Sequence, residues 1–254
     1  MPLRIFEVPS FDGSVRTARV YTPDAYDEDP GARFGVVYLQ DGQNVFADPR
    51  PARPETWCAD LILEQLASEG RIEPWILVGL DHAADRFGEY SPWDYRAARV
   101  KAKGKRYARY LAGELKPMID QAYRTRPGPE WTAAVGSSLG GLISLYLGLE
   151  HGDVFGRIGA LSPTVMWSGR RIFREWRTHR RRWTRIYLDA GAHEVLDLGE
   201  LRLDYGRWTR EFHAHLERLG YAGHELALVL EPGGQHSEVD WRRRLPLAFR
   251  WLLG

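Results

Sequence analysis

Short apolar runs alternate along this chain with longer stretches in which apolar residues recur at helical spacing. An apolar run of about four to eight residues is typical of a strand buried on both faces of a parallel sheet. From residue 34 onward, the runs that predict strands are 34–39, 75–80, 131–135, 157–161, 185–190 and 225–230. The stretches that predict helices are 57–69, 105–123 with a kink or break at Pro117, 139–149, 170–183, 201–219 and 241–253. This alternation predicts an α/β fold, with a mostly parallel central sheet and helices on both faces.

The amino-terminal part has a different pattern. Residues 4–8 and 14–22 have the composition of two strands, and they are joined at Asp12-Gly13, a dipeptide that is typical of hairpin turns. We therefore expect an antiparallel hairpin to precede the parallel sheet. Residues 81–104 are irregular and rich in aromatic and charged residues, which is typical of a lid or of a wall of a ligand site.

The stretch 131–146, WTAAVGSSLGGLISLY, predicts a strand, a tight turn and a helix. Its turn has the pattern GxSxG, with Ser138 at the centre. A nucleophilic serine must project from the backbone, and a tight strand-to-helix turn leaves room only for glycine two residues before and after it. The pattern therefore predicts a nucleophile elbow. Ser137 is the alternative within the motif, but the spacing to the glycines favours Ser138.

Composition excludes several classes of partner. The 254 residues suit a single domain, 1–254, and 44% of them are hydrophobic. The 35 Lys and Arg are balanced by 34 Asp and Glu, so no global basic charge attracts nucleic acid or an anionic membrane. Cys58 is the only cysteine, which excludes an internal disulfide, and the first residues contain no apolar leader segment. We expect a cytoplasmic protein, and no pattern indicates an oligomeric state.

A serine nucleophile needs a histidine base and a carboxylate that orients it, and in this topology both follow the serine, the acid first. Of the eight histidines, His236 lies just after the last predicted strand, in the loop PGGQHSEVDW. The acid is expected in the loop GAHEVLDLGE, which follows the strand at 185–190 and contains Glu194 and Asp197. Glu194 is favoured because it is closer to the strand end. Asp189 lies within the strand and is interpreted as a structural hydrogen-bond partner.

The oxyanion formed during ester cleavage needs backbone amides as donors. One is predicted at Leu139, directly after the serine. The other is predicted in QDGQNVF, residues 40–46, with Gln43 preferred over Gly42. Asp41 in the same turn either binds a substrate hydroxyl or holds the loop, and the sequence favours neither role. No two histidines or carboxylates have ligand spacing on a common face, so neither a metal nor a cofactor is expected.

These residues lie in stretches by which the chain resembles the putative esterase family of α/β-hydrolases. This group includes enterochelin esterases, esterase D, feruloyl and acetylxylan esterases, and mycolyltransferases. The resemblance spans residues 36–252 and implies the α/β-hydrolase fold. The matching stretches, in order, are VVYLQDGQNVF, VGLDHAADRFGEYSP, VGSSLGGLISLY with FGRIGALSPTVMW, YLDAGAHE, and PGGQHSEVDWRRRLPLAFRWL.

The resemblance also implies roles for single residues. The matches to the family's nucleophile, acid, base and first oxyanion donor are Ser138, Glu194, His236 and Gln43. Asp41 matches an aspartate that contacts the polyol in sugar-ester members, and Arg86 with Glu89 matches a charged motif beside the site. We expect neither a carbohydrate-binding module nor the amino-terminal domain of some enterochelin esterases, so the resemblance leaves the substrate open.

The first functional hypothesis is a carboxylic-ester hydrolase that acts on a small-molecule ester through an acyl-enzyme at Ser138. The alternative is an acyltransferase that uses the same triad and passes the acyl group to a sugar or alcohol. The charged residues of 81–102 favour hydrolysis, because transfer requires a closed apolar pocket that keeps water from the acyl-enzyme. A binding protein on an inactive hydrolase scaffold is disfavoured, because Ser138, Glu194 and His236 are all present.

Overall fold

An eight-stranded sheet forms the centre of the molecule. The computed structural model describes residues 3–47, 55–179, 183–197, 199 and 202–254. In chain order the strands are β1 (Leu3–Pro9), β2 (Val15–Tyr21), β3 (Gly35–Gln40), β4 (Trp75–Leu80), β5 (Thr132–Ser137), β6 (Arg157–Leu161), β7 (Arg185–Gly191), β8 (Val195–Asp197), β9 (Arg202–Asp204) and β10 (Leu226–Glu231). Strands β8 and β9 form a separate two-stranded ribbon, and the others are ordered β1-β2-β4-β3-β5-β6-β7-β10 across the sheet.

Two pairings in the large sheet are antiparallel. Strand β1 pairs with β2, and β2 pairs with β4, in antiparallel register. The other neighbours are parallel. The predicted hairpin and the predicted, mostly parallel sheet are therefore confirmed. The carboxyl ends of β3, β5, β6, β7 and β10 meet at one edge, which is where open α/β sheets bind their ligands.

Helices connect the parallel strands. Within the described ranges the α-helices are α1 (Ala25–Glu28), α2 (Ala59–Ser68), α3 (Arg86–Tyr90), α4 (Gly104–Tyr110), α5 (Lys116–Ala122), α6 (Leu139–Glu150), α7 (Trp167–Thr178), α8 (Tyr205–Arg218) and α9 (Glu238–Leu253). Single turns of 3₁₀ helix occur at Gly42–Asn44, Arg96–Ala98 and Pro129–Trp131. No helix in these ranges is long and apolar enough to cross a membrane.

The long helix expected at 105–123 consists of three parts. A π-helical turn, Leu111–Leu115, separates α4 from α5, and Pro117 follows it in the first turn of α5. In a regular helix the proline ring clashes with the carbonyl four residues earlier, and helices commonly bend or widen at such a point. The break expected at Pro117 corresponds to this π-helical turn.

Two other helix predictions need correction. The helix expected at 170–183 is α7, which begins and ends earlier, and residues 180–182 lie outside the described ranges. The helix expected at 201–219 is α8, which begins at Tyr205 because β9 pairs with β8, and residue 201 also lies outside the described ranges. The Asp204 side chain accepts a hydrogen bond from the Arg207 N–H at 2.9 Å, as an N-cap residue does, and this marks the start of α8.

The two faces of the sheet bury separate cores. Residues Val36 and Tyr38 of β3 lie in a core with α4, α6 and α8, whereas Val37 and Leu39 lie in a core with α2 and α9. This alternation follows from the geometry of a strand, whose successive side chains point to opposite faces. Helix α6 is buried along its length except at Glu150. The turn that begins α6 is therefore held firmly between the sheet and its neighbours.

Candidate active site

A sharp turn between β5 and α6 presents Ser138. Its backbone has φ 56° and ψ −122°, a combination that residues with a side chain rarely adopt. The turn requires glycine, because a Cβ on Gly136 would lie 2.5 Å from the carbonyl oxygen of Gly140. A Cβ on Gly141 would lie 3.2 Å from the carbonyl oxygen of Gly136. The strand, turn and helix predicted from the GxSxG pattern are therefore present, with Ser138 partly exposed.

The Ser138 hydroxyl, the His236 imidazole and the Glu194 carboxylate form a hydrogen-bonded row. His236 Nε2 lies 3.0 Å from Ser138 Oγ, and His236 Nδ1 lies 2.6 Å from Glu194 Oε1. Glu194 comes from the loop after β7, and His236 from the loop between β10 and α9. The structure thus brings together the three side chains that the sequence predicts as nucleophile, acid and base. Ser137, the alternative nucleophile, is the buried last residue of β5.

The second carboxylate oxygen of Glu194 is also fixed. Oε2 accepts hydrogen bonds from the Gly191 N–H at 2.7 Å and from the Ser162 hydroxyl at 2.8 Å. Glu194 is 1% exposed. Asp197, the alternative acid, lies on β8, is exposed, and accepts a hydrogen bond from the Gly199 N–H at 3.0 Å. The structure places Glu194, and not Asp197, beside His236.

Two aromatic rings enclose the imidazole of His236. Tyr205 is stacked on it with the ring centroids 4.1 Å apart, and Trp241 meets it edge-on at 4.9 Å. Burial raises the pKa of Tyr205. Its hydroxyl lies 3.5 Å from Thr164 Oγ1, which in turn lies 3.4 Å from Ser138 Oγ. The sequence pattern did not single out Tyr205, Thr164 or Trp241 as site residues. Of the three, only Trp241 could have been found from its position, in the first turn of the helix after the histidine loop.

A buried ionic cluster lies behind Glu194. Arg244 on α9 is 1% exposed, and its guanidinium lies 3.0 Å from Asp189 Oδ1, 3.1 Å from Glu231 Oε2 and 2.8 Å from Ser162 Oγ. Asp189 is completely buried, and burial raises its pKa to about 6. The contact between Asp189 and Arg244 agrees with the interpretation of Asp189 as a structural partner. The cluster ties the carboxyl ends of β6, β7 and β10 to α9.

A cavity of about 390 Å³ opens beside Ser138. Residues 81–104 supply Phe87 and Val100 to its wall, and the β8–β9 ribbon supplies Leu196 and Leu203. Arg86 is the charged residue in this lining. The part of 81–104 that faces the cavity is therefore largely apolar, although the segment as a whole is charged. The charge of this segment consequently gives no argument for hydrolysis over acyl transfer. Among the described residues, no group of three or more His, Cys, Asp or Glu is arranged to hold a metal ion.

The turn after β3 packs against the elbow. A Cβ on Gly140 would lie 3.0 Å from Gln40 Cβ and 3.2 Å from Asp41 Oδ2. Asp41 has a left-handed backbone with φ 58°, and its carboxylate accepts hydrogen bonds from Arg86 Nε at 2.6 Å and Arg86 Nη2 at 2.7 Å. Both oxygens of Asp41 are therefore engaged. Of the two roles that the sequence leaves open for Asp41, these contacts favour holding the loop.

The two residues predicted as oxyanion donors lie at the starts of helical segments. Gln43 is in the 3₁₀ turn Gly42–Asn44, and Leu139 is the first residue of α6. N–H groups in a first helical turn have no acceptor within the helix, and the helix dipole is positive there. The Gln43 side chain is engaged elsewhere, because its Oε1 accepts a hydrogen bond from the His82 N–H at 3.3 Å. The role of both amides stays a prediction.

Glu89 is engaged away from the cavity lining. It is 1% exposed, and its carboxylate accepts hydrogen bonds from the Ala83 N–H at 2.7 Å and from Arg16 Nη2 at 3.2 Å. Arg16 belongs to β2, so Glu89 fastens the segment 81–104 to the amino-terminal hairpin. Of the charged pair expected beside the site, only Arg86 lines the cavity.

Comparison with other sequences identifies relatives along nearly the whole chain. Residues 11–252 match the family model described as "Esterase: Putative esterase". The chain is 24% identical over 244 residues to the uncharacterized protein YbbA of Bacillus subtilis (strain 168), in an alignment that covers 94% of this chain and 93% of YbbA. It is 27% identical over 248 residues to the iron(III) salmochelin esterase of Escherichia coli O6:H1, in an alignment that covers 92% of this chain. The chain spans about half of that esterase, 53% of its length.

Solved structures share the fold. The crystal structure of BES protein from Bacillus cereus matches with a TM-score of 0.78 and 17% identity, covering 100% of this chain and 95% of the other. An identity this low supports the fold alone, and the expected α/β-hydrolase fold is confirmed. The match to the esterase family model indicates the reaction class in addition to the fold, because the matched region extends over most of the sequence. The chain therefore belongs to the putative esterase family of α/β-hydrolases and is a carboxylic-ester hydrolase.

Proposed function

We propose that the chain hydrolyses carboxylic esters through an acyl-enzyme on Ser138, with His236 as general base and Glu194 as the acid that orients it. The observation that carries this proposal is the hydrogen-bonded row from Ser138 Oγ through His236 to Glu194. A serine hydroxyl is a weak nucleophile until a base takes its proton, and Nε2 lies within reach of that proton at 3.0 Å.

The reaction proceeds in two halves. In the first, Ser138 Oγ attacks the ester carbonyl, and His236 Nε2 takes the serine proton and then gives it to the leaving alcohol. In the second, water attacks the acyl-enzyme with the same nitrogen as base, which releases the acid and restores the serine. Glu194 keeps the proton on Nδ1, so that Nε2 is free to accept, and it stabilises the imidazolium. The amides of Leu139 and Gln43 receive the oxyanion.

The cavity supports a substrate with an apolar acyl group. Its walls include Phe87, Val100, Trp167 and Leu196, so burial of a hydrocarbon or aromatic group there removes apolar surface from water. We place the acyl group in this cavity and the alcohol toward solvent. The relative named as an iron(III) salmochelin esterase suggests siderophore esters as one class to test beside simple aryl esters.

The test compares Ser138→Ala with Ser137→Ala, its neighbour in the same motif. Both variants are assayed on aryl esters of increasing acyl length and on feruloyl, acetyl-sugar and siderophore esters, with glycerol present and the products identified by mass. Ser138→Ala should stay folded and lose about 10⁴-fold in turnover. Ser137→Ala should retain activity, and the free acid should be the main product. Turnover that survives in Ser138→Ala and disappears in Ser137→Ala would refute the assignment of the nucleophile.

A further inference from the structure

The Ser162 hydroxyl lies where the contacts behind Glu194 converge. It is fully buried and lies within hydrogen-bond distance of Glu194, Trp241 and Arg244. We propose that Ser162 is a positioning residue, whose hydroxyl is held in one direction by Trp241 and Arg244 and fixes the Glu194 carboxylate against His236. This inference rests on the function proposed for Ser138, His236 and Glu194.

The direction of the Ser162 O–H bond follows from the number of hydrogen-bond donors around its oxygen. Trp241 Nε1 lies 3.1 Å from Ser162 Oγ, and Arg244 Nη2 lies 2.8 Å from it. Indole and guanidinium groups can only donate, whereas a serine hydroxyl has one proton and two lone pairs. Because both lone pairs are occupied, the proton of Ser162 is directed to Glu194 Oε2 at 2.8 Å. A serine without these two donors is free to rotate.

The backbone of Ser162 provides a second, independent observation. Its φ is 41°, in the left-handed region that glycine adopts readily and that residues with a side chain seldom occupy. The Ser162 N–H donates to the Asp189 carbonyl at 2.8 Å, and glycine would make the same bond. The side chain is therefore the only feature of this residue that glycine could not supply, and all of its polar contacts belong to the network behind Glu194.

The orientation of Glu194 depends on how its two oxygens are shared. Ser162 and the Gly191 N–H occupy Oε2, which leaves Oε1 to accept from His236 Nδ1 at 2.6 Å. Arg244 Nη2, part of a positively charged guanidinium, lies 4.0 Å from Oε2. Ser162 is not part of the cavity lining. Its loss should therefore slow the chemical steps without weakening substrate binding.

The experiment compares Ser162→Gly and Ser162→Ala with Ser144→Ala. Ser144 is also a buried serine, but its hydroxyl donates to the Gly140 carbonyl at 2.8 Å and does not contact Glu194 or His236. Both Ser162 variants should lose about 10- to 100-fold in kcat with KM nearly unchanged, as expected for one hydrogen bond to a charged group. Ser162→Gly should be the more stable of the two in urea, because it relieves the left-handed backbone. Ser144→Ala should keep its kcat.

A spectroscopic measurement separates positioning from general loosening. The low-field proton resonance of the hydrogen bond between His236 Nδ1 and Glu194 should shift or broaden in Ser162→Gly and stay unchanged in Ser144→Ala. If Ser162→Gly keeps kcat within about twofold of wild type while Ser138→Ala is inactive, the inference is wrong and the proposed function stands. If kcat of Ser162→Gly falls only in proportion to its folded fraction, the inference is also wrong. If Ser138→Ala retains turnover, the proposed function itself fails.

Discussion

At Glu194 the two carboxylate oxygens have different tasks. Oε1 faces His236, and Oε2 is tied to Gly191 and Ser162. This arrangement suits the role that we propose for Glu194, an acid that orients a base and stabilises its positive charge without taking the proton. Asp197 lies only three residues further along the chain, yet it is exposed and bonded within its own turn.

Neutralising each of these two carboxylates gives a matched test. Glu194→Gln keeps the size of the side chain but removes the charge that, in the proposed mechanism, holds His236 in its working tautomer, so turnover should fall by about 10⁴-fold. Asp197→Asn should change turnover little. Steady-state kinetics on one aryl ester measures both, and a large loss in Asp197→Asn with a small loss in Glu194→Gln would move the acid to Asp197.

The sequence indicates the residues that we propose as nucleophile, base and acid, but not the residues that hold them. Ser138 has a local motif, and His236 and Glu194 follow from the order of the strands. Ser162 and Trp241 are 79 positions apart, and their hydrogen bond exists only because β6 and α9 pack together. Spacing along the chain does not reveal such a contact, so residues of this kind had to be found in the structure.

At the scale of elements, α9 connects the site to the sheet. The helix begins directly after the histidine loop, with Ser237 as its N-cap. One turn later it places Trp241 against His236, and Arg244 reaches Asp189 and the end of β10. The loop that carries His236 is therefore fixed at both ends.

The ion pairs of Glu231 should make this connection sensitive to pH. Hydrogen bonds from Arg243 and Arg244 lower the pKa of Glu231 below its usual 4.5, so its stabilising effect is present above that pH and is lost as the pH falls through the lowered pKa. Glu231→Gln should reduce the free energy of unfolding at pH 7 by about 1–2 kcal/mol. The difference from wild type should shrink below pH 4.5 as the wild-type carboxyl becomes protonated.

Urea unfolding at neutral and acidic pH measures this difference. Glu211→Gln is the control, because Glu211 pairs with Arg207 on the exposed face of α8 and such surface pairs contribute about 0–1 kcal/mol. A loss in Glu231→Gln that is the same at both pH values would mean that the ion pairs are not its source.

Regular elements were predictable where they are long, and the β8–β9 ribbon was not. Each of its strands has three residues, which is too short to show alternation of apolar and polar positions. Leu203 also fits the apolar spacing of the helix that follows, so the pattern assigns it to that helix. The structure instead pairs it with Leu196 and uses both in the cavity wall.

At the scale of the whole molecule, the two cores are divided by the sheet, and α9 covers the face opposite α6. Leu252 of α9 is fully buried, and a Cβ on Gly159 of β6 would lie 2.8 Å from its Cδ1. The glycine thus lets the helix approach the sheet closely. The sequence predicts both layers from periodicity, but this close approach requires the three-dimensional register of α9 on β6.

Truncating Leu252 tests how much this layer contributes. Leu252→Ala should reduce the free energy of unfolding by about 2–5 kcal/mol, because the close-packed site cannot fully collapse around the cavity. Leu247→Ala on the same helix should cost no more than about 0.5 kcal/mol, since Leu247 is 46% exposed. Denaturant titration followed by tryptophan fluorescence gives both values. Similar losses in the two variants would contradict the packing of α9 described above.

The separation of the site residues along the chain has a consequence for folding kinetics. The two hydrogen bonds of the row join residues 98 and 42 positions apart, and each requires that the crossovers between parallel strands are already in place. Contacts of long sequence separation are slow to form, because loop-closure entropy is lost before they contribute. The turn that carries Ser138 is local and can form early, whereas its alignment with His236 waits for the last strand to dock. Recovery of ester cleavage during refolding therefore reports the completion of the sheet, later than signals that follow helix formation.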